Sequence, residues 1–219
     1  MRTILTDLDD QLDPAHTALL VVDMQNDFCA EGGYLNRTRS ADMSASKPIA
    51  DNINKLVNLA RDTGMTVVWI VAIYNHKYLS DSHVAKVLPG LKEGANEPVL
   101  CSEGTWGADF YEMQPHDGEI IIQKHRYSAF HGTRLDDYLR GQGAKTLIVT
   151  GVATNICVDS TIRDGFFNGY YIVVPEECVG ASDAELHAAT LKTVANNIGT
   201  VTSGNEIIRI AGKHAEAAE

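Results

Sequence analysis

The chain has 219 residues, 44% of them hydrophobic and 21% charged, which suffices for one sizeable core and is unlike a disordered protein. Acids outnumber bases 29 to 18, for a formal charge of -11, so the overall field repels phosphate backbones and nucleic acid is not an expected partner. The opening MRTILTDLDDQLD places acids where a secretory leader needs an apolar run, and no stretch approaches the roughly 18 apolar residues of a membrane span, so a cytoplasmic protein without membrane contact is expected.

Thr17 to Asp23 (TALLVVD) is a β-branched apolar run ending in an acid, the pattern of a buried strand that delivers a side chain at its carboxyl end. Pro48 to Thr63 sets Ile49, Ile53, Leu56, Val57 and Ala60 at helical spacing behind a proline suited to a first turn, and Gly64 ends the helix. Further strands are expected at Val67 to Ile73, Glu119 to Gln123, Lys145 to Thr150 and Tyr170 to Val174. The joints RDTGM, RGQGAK and FNGYY put glycine just past a helical stretch, where a left-handed cap is needed, and an apolar strand follows each. That repeated order indicates a parallel sheet wrapped by helices.

Ala184 to Asn197 reads as another helix, Thr200 to Thr202 as a short last strand, and AGKHAEAAE as a frayed tail. The long segment from Tyr74 to Pro115, broken by prolines and glycines, reads as a lid or binding loop. No repeat or linker divides the chain, so a single domain over residues 1–219 is expected, with its core at about 17–202 and a C-terminal tail at 203–219.

Ligands of open α/β sheets sit beyond the carboxyl ends of the strands, and three groups fall there: Asp23 after the first strand, Lys124 after the third and Cys157 a few residues past the fourth. Cys157 to Phe167 reads as a helix capped by Thr154 or Asn155. Its positive end would lower the thiol pKa, and its free N–H groups could hold an oxyanion. Asp23 can carry a proton from thiol to leaving amine, with Lys124 the cation that keeps Asp23 ionised. Cys29, Cys101 and Cys178 form no metal or disulfide pattern with Cys157 and read as packing residues, with Cys178, just after the fifth strand, a candidate for bordering the site. An acid or a lysine at one strand end is ordinarily a turn or solvated residue; the coincidence of all three at one rim carries the reading.

The blocks VVDMQNDF around Asp23, KHRYSAFHGTRLD beginning at Lys124, and TGVATNICVDSTIRDGFFNGY around Cys157 resemble the isochorismatase-like cysteine hydrolase superfamily, from about Thr17 to Thr202. The resemblance implies a three-layer α/β/α fold with a six-stranded, mainly parallel sheet in the order 3-2-1-4-5-6, usually in homo-oligomers (dimers or tetramers). It implies Asp23, Lys124 and Cys157 as the catalytic residues. It also implies a cis peptide at Val152-Ala153 and an oxyanion hole formed by the backbone N–H groups of Ala153 and Cys157.

The block with Lys124, Arg126, Tyr127, Ser128 and Phe130 is most similar to ureidoacrylate amidohydrolases, with biuret, triuret and carbamoylsarcosine hydrolases as relatives. Nicotinamidases carry an Asp-x-His metal site after strand two, where this chain reads AIYNHKYLSDSH, so no metal and no other cofactor is expected despite His76 and His83. Isochorismatases proper lack the cysteine, which favours amide chemistry here.

The expected activity is hydrolysis of a carbon-nitrogen bond in a small amide or ureide through a covalent thioester, releasing ammonia. Arg126, His76 and Lys77 are candidates for a substrate carboxylate, Phe28 and Tyr127 for a planar substrate, Trp106 for closing the pocket, and Gln25 as a neighbour of the base. Asp27 reads as a turn acid binding backbone N–H groups. The alternatives are a binding or thiol redox-sensing protein on the same fold, or an amidase of the nicotinamidase type. A dinucleotide enzyme is disfavoured because the first strand leads into DMQNDF and not G-x-G-x-x-G.

Overall fold

The structure is a computed structural model and describes residues 4–75, 77–87 and 100–218. Its strands are β1 (Thr17–Val22), β2 (Thr66–Ala72), β3 (Ile120–Lys124), β4 (Thr146–Val152), β5 (Tyr171–Pro175), β6 (Val179–Gly180) and β7 (Thr200–Thr202). The helices are α1 (Leu8–Gln11), α2 (Asn26–Cys29), α3 (Tyr34–Arg39), α4 (Ser46–Asp62), α5 (Asp81–Val87), α6 (Leu135–Gly141), α7 (Asp159–Phe167), α8 (Ala184–Asn197) and α9 (Gly204–Ala218).

Alternate residues of the central strands enter opposite cores. Leu19, Val21, Trp69, Ile148 and Val173 pack on one side with α4 and α9, while Leu20, Val22, Ile70, Val149 and Val174 pack on the other with α6 and α7. Burial on both faces is why these strands read as unbroken apolar runs. All ladders are parallel, and the order is β3-β2-β1-β4-β5-β7. The order anticipated from the sequence therefore holds. The sheet has a seventh, two-residue strand, β6, which pairs with the end of β4 and makes the edge strand seventh in the chain.

In α4, Ile49, Ile53, Leu56, Val57 and Ala60 are buried as their spacing demands, and Gly64 takes φ +73 just beyond it. Gly151, at φ +107, allows β4 to pass the Val22 carbonyl, because any Cβ there would overlap Val22 O. The segment read as a frayed tail is in fact helical. α9 buries Ile207, Ile210 and Ala211 against the α4 side of the sheet, and Ser203 Oγ accepts the Glu206 N–H at 3.2 Å to start it. An i, i+3, i+4 apolar stripe anchors it. Among the described residues no helix is long and apolar enough to cross a membrane.

Candidate functional site

The order β3-β2-β1-β4 places the ends of β1, β3 and β4 on one rim. Asp23 follows β1 with φ 53, a left-handed conformation that aspartate tolerates better than most residues, and its N–H donates to Ile70 O at 2.9 Å. Lys124 ends β3, two strand spacings (about 9.6 Å) from β1, and crosses β2 where its paired residue is only Ala72. Its Nζ lies 2.8 Å from Asp23 Oδ2, 3.4 Å from Cys157 Sγ and 3.1 Å from Arg126 O. Asp23 and Lys124 are both 0% exposed, and Cys157 is 5% exposed.

The Val152-Ala153 peptide is cis. Cys157 stands in a π-helical turn, Thr154–Val158, that precedes α7, and the Ile156 and Val158 N–H groups donate to Ala153 O at 3.0 and 3.2 Å. The helix therefore begins differently from the expectation. Neither Thr154 nor Asn155 caps it through its side chain, and Thr154 Oγ1 instead lies 2.9 Å from His187 Nδ1.

Ionisation also differs from the expectation. Burial pushes the Cys157 thiol well above its ordinary value and the Asp23 charge pushes further, with Lys124 opposing both. Burial likewise raises Asp23 against the pull of Lys124. For Lys124 burial works against the charge, but Asp23 and Cys157 hold its pKa above the usual lysine value. The Asp23 carboxylate forms an ion pair with Lys124, yet neither of its oxygens accepts a well-directed hydrogen bond among the described residues.

Cys157 opens onto a cavity of about 230 Å³ lined by Phe28, Leu35, Arg39, Tyr74, Lys86, Leu100, Tyr127, Ala153 and Ile156. Phe28 and Tyr127 thus reach it. Four other sequence candidates, Gln25, Arg126, Trp106 and Lys77, do not. Gln25 is buried and spends its amide on Ala72 O, Ala108 O and the Ala72 N–H at 3.0, 2.9 and 2.8 Å, so it braces β2. Arg126 donates through Nη1 to Tyr78 O and His125 O, both at 2.7 Å, which fastens the loop after β2 to the end of β3. Trp106 is 55% exposed and does not line the cavity. Lys77 lies over the Tyr78 ring, and His76 is outside the described residues.

Asp27 binds backbone, as its turn reading holds: it accepts the Tyr34 N–H at 2.9 Å and the Cys101 N–H at 2.7 Å. Cys178 sits in the α4 core instead of bordering the cavity. Thr161 went unnoticed in the sequence. Its hydroxyl donates to Cys157 O at 2.7 Å and accepts the Ala129 N–H at 3.0 Å, tying the turn that carries the thiol to the loop after Lys124. The four-residue offset from Cys157 was the available signal. Among the described residues no group of three or more His, Cys, Asp or Glu side chains is placed to hold a metal ion.

The Isochorismatase domain family matches residues 17–206, so the chain belongs to that family. It is 35% identical to ureidoacrylate amidohydrolase RutB of Acinetobacter baylyi over 208 residues, covering 90% of this chain and 84% of the relative. A cysteine hydrolase structure from Pseudomonas syringae pv. phaseolicola 1448A superposes with TM-score 0.80 at 27% identity, covering 98% of this chain and 100% of that one. An N-carbamoylsarcosine amidase structure from Thermoplasma acidophilum superposes with TM-score 0.69 at 25% identity, covering 87% and 97% of the two chains.

Proposed function

We propose that this protein hydrolyses a small ureide or amide through Cys157, and the observation that carries the reading is the contiguous Asp23, Lys124 and Cys157 group, whose thiol opens onto the cavity. The chain is a cysteine amidohydrolase of the isochorismatase family, acting on carbon-nitrogen bonds other than peptide bonds. Its likeness to ureidoacrylate amidohydrolase and N-carbamoylsarcosine amidase supports a ureide as the substrate.

Because burial keeps the thiol protonated, the proton leaves as the sulfur attacks. Cys157 Sγ bonds to the substrate carbonyl carbon, the S–H proton passes to Asp23, and the carbonyl electron pair moves onto oxygen. Ala153 and Cys157, which both line the cavity, offer backbone N–H groups to that oxyanion, a contribution of about 3 kcal/mol per donor. The intermediate collapses with cleavage of the carbon-nitrogen bond, and Asp23 returns the proton to the leaving nitrogen. Water then attacks the thioester and gives a proton to Asp23, which restores it to the departing sulfur. Lys124 stabilises the negative charge that passes between Asp23 and Cys157. Where the leaving nitrogen is the substituted amine, the carbamate released from the enzyme breaks down to carbon dioxide and ammonia.

One sheet running from Thr17 to Thr202, with α9 folded back on α4, supports a single domain. A dimer or tetramer is part of the same proposal and is measured by sedimentation. Incubation with ureido acids, biuret, triuret and primary amides such as nicotinamide should release ammonia. Cys157→Ala should abolish release while leaving the unfolding transition intact, and undiminished release would remove Cys157 from the mechanism.

A further inference from the structure

Ala153, whose backbone N–H serves the oxyanion in the hydrolysis above, is held from both sides by one stretch of chain. Before it, Gly151 and Val152 at the end of β4 pair with Val179 and Gly180 of β6. After it, Thr154 Oγ1 lies 2.9 Å from Nδ1 of His187, in the first turn of α8. Residues 181–183 join the two anchors. Asp183 caps α8, accepting the Leu186 N–H at 2.9 Å, and its carbonyl accepts the His187 N–H at 3.0 Å. The contact with His187 is built into the interior. Thr154 is 0% exposed, and its hydroxyl bonds the imidazole in either tautomer, donating to a bare Nδ1 or accepting from Nδ1–H. α8 packs on the π-helical turn, yet of its fourteen residues only Val194, in the last turn, is buried. The hydrogen bond is therefore what ties the start of the helix to the turn. A shift of Thr154 reaches Ala153 directly, because the two residues share a peptide and Ala153 O accepts the Ile156 and Val158 N–H groups of the same turn.

We propose that His187 is a positioning residue of the reaction: through Thr154 it fixes the Ala153 N–H where the developing oxyanion needs it. The inference rests on the hydrolase reading above and deepens it. His187 is not among the described residues that line the cavity, so it acts through Thr154 and not on the substrate. Oxyanion donors work by being aligned before the charge forms, and a displacement of about 1 Å in such a group costs about a hundredfold in rate. The ground-state carbonyl asks less of the donor than the oxyanion does. Loss of alignment therefore falls on kcat and spares KM.

The test is steady-state ammonia release by His187→Ala, His187→Asn and Thr154→Val, beside alkylation of Cys157 by iodoacetamide. The substrate is whichever of the ureido acids, biuret, triuret and primary amides named above the wild-type protein turns over fastest. His187→Ala should lose about ten- to hundredfold in kcat, with KM changing less than about twofold. His187→Asn, whose carboxamide sets a donor and an acceptor near the position of Nδ1, should recover most of the loss. Thr154→Val should lose as much as His187→Ala, and the double variant no more than either, because each removes the same contact. Alkylation displaces iodide at a saturated carbon and forms no oxyanion, so its rate should stay within about twofold of wild type in every variant. Wild-type kcat in His187→Ala, no recovery in His187→Asn, additive losses in the double variant, or alkylation that falls in step with turnover overturns the proposal. If His187→Ala fails to fold, Thr154→Val, which keeps the shape of its side chain, carries the same comparison. The two readings fail separately. Cys157-dependent ammonia release that is indifferent to His187 and Thr154 ends the positioning role alone, whereas no Cys157-dependent release from any of these compounds ends the hydrolase reading and this one with it.

Discussion

Replacing Lys124 by methionine keeps most of the apolar stem and removes the cation. Lys124 Nζ is 2.8 Å from Asp23 Oδ2 and both side chains are 0% exposed, so the variant strands a carboxylate in the interior. Breaking one side of such a pair costs about 3–5 kcal/mol at neutral pH. At about 2–4 °C per kcal/mol for a chain of 219 residues, the midpoint of thermal unfolding should fall by roughly 10 °C.

The loss should also depend on pH. Burial already raises the Asp23 carboxyl and Lys124 opposes the rise, so removing the lysine raises it further. A carboxyl whose folded pKa exceeds its unfolded value of 3.8 contributes stability that is fully present below that value and lost as pH rises through the folded pKa. The deficit of Lys124→Met should therefore be smaller at about pH 5 than at about pH 8 in urea or thermal unfolding. Adding Asp23→Asn removes the stranded charge and should recover much of the loss. Equal destabilisation at both pH values, with no recovery in the double variant, would refute the buried ion pair as the source of the effect.

Three further outcomes follow from the same structure. Burial opposes the charge of Glu119, but Arg61, the His116 N–H and Trp69 Nε1 hold its carboxyl at about 2, so its contribution is present above its unfolded 4.5 and lost as pH falls through about 2. Glu119→Gln should cost about 3 kcal/mol in unfolding experiments at neutral pH and little near pH 2. Gly151→Ala should lose soluble folded protein, measured by expression and urea unfolding, because its Cβ would overlap the Val22 carbonyl at a φ of +107 beside Asp23. Asp27→Ala frees the Tyr34 and Cys101 N–H groups, loosening α3 and the Leu100 wall; steady-state kinetics should show KM rising about tenfold with a smaller change in kcat, and stability falling by about 2 kcal/mol.

The parts legible in the sequence are those where a local pattern has one physical outcome. TALLVV and TLIVTGV are buried on both faces, so they must be apolar throughout, and the glycines between helix and strand mark where the chain turns. The side chains of Gln25, Trp106 and Arg126 were not legible. Each was near the right strand end, but which way a loop side chain points depends on carbonyls such as Ala72 O, Ala108 O and Tyr78 O that arrive from distant sequence. Arg39 and Lys86 line the same cavity as Cys157, but they lie on α3 and α5, far from it in the chain, so no local pattern joins them to it. The helical end of the chain was underestimated because its alanine-rich close masked the stripe from Ile207 to Ala211.

The sequence by itself determined the parallel sheet and the presence of an acid, a lysine and a cysteine at strand ends, because periodicity and turn chemistry are local properties; the strand order came only with the family resemblance of three motif blocks. Tertiary structure decided the ionisation of Cys157, since a thiol's pKa follows from the water removed around it and from the charge of Asp23, more than 130 positions away in the chain. It also decided which side chains line the cavity that Cys157 opens onto. Burial and proximity are sums over all elements at once, and no stretch of the chain records them alone.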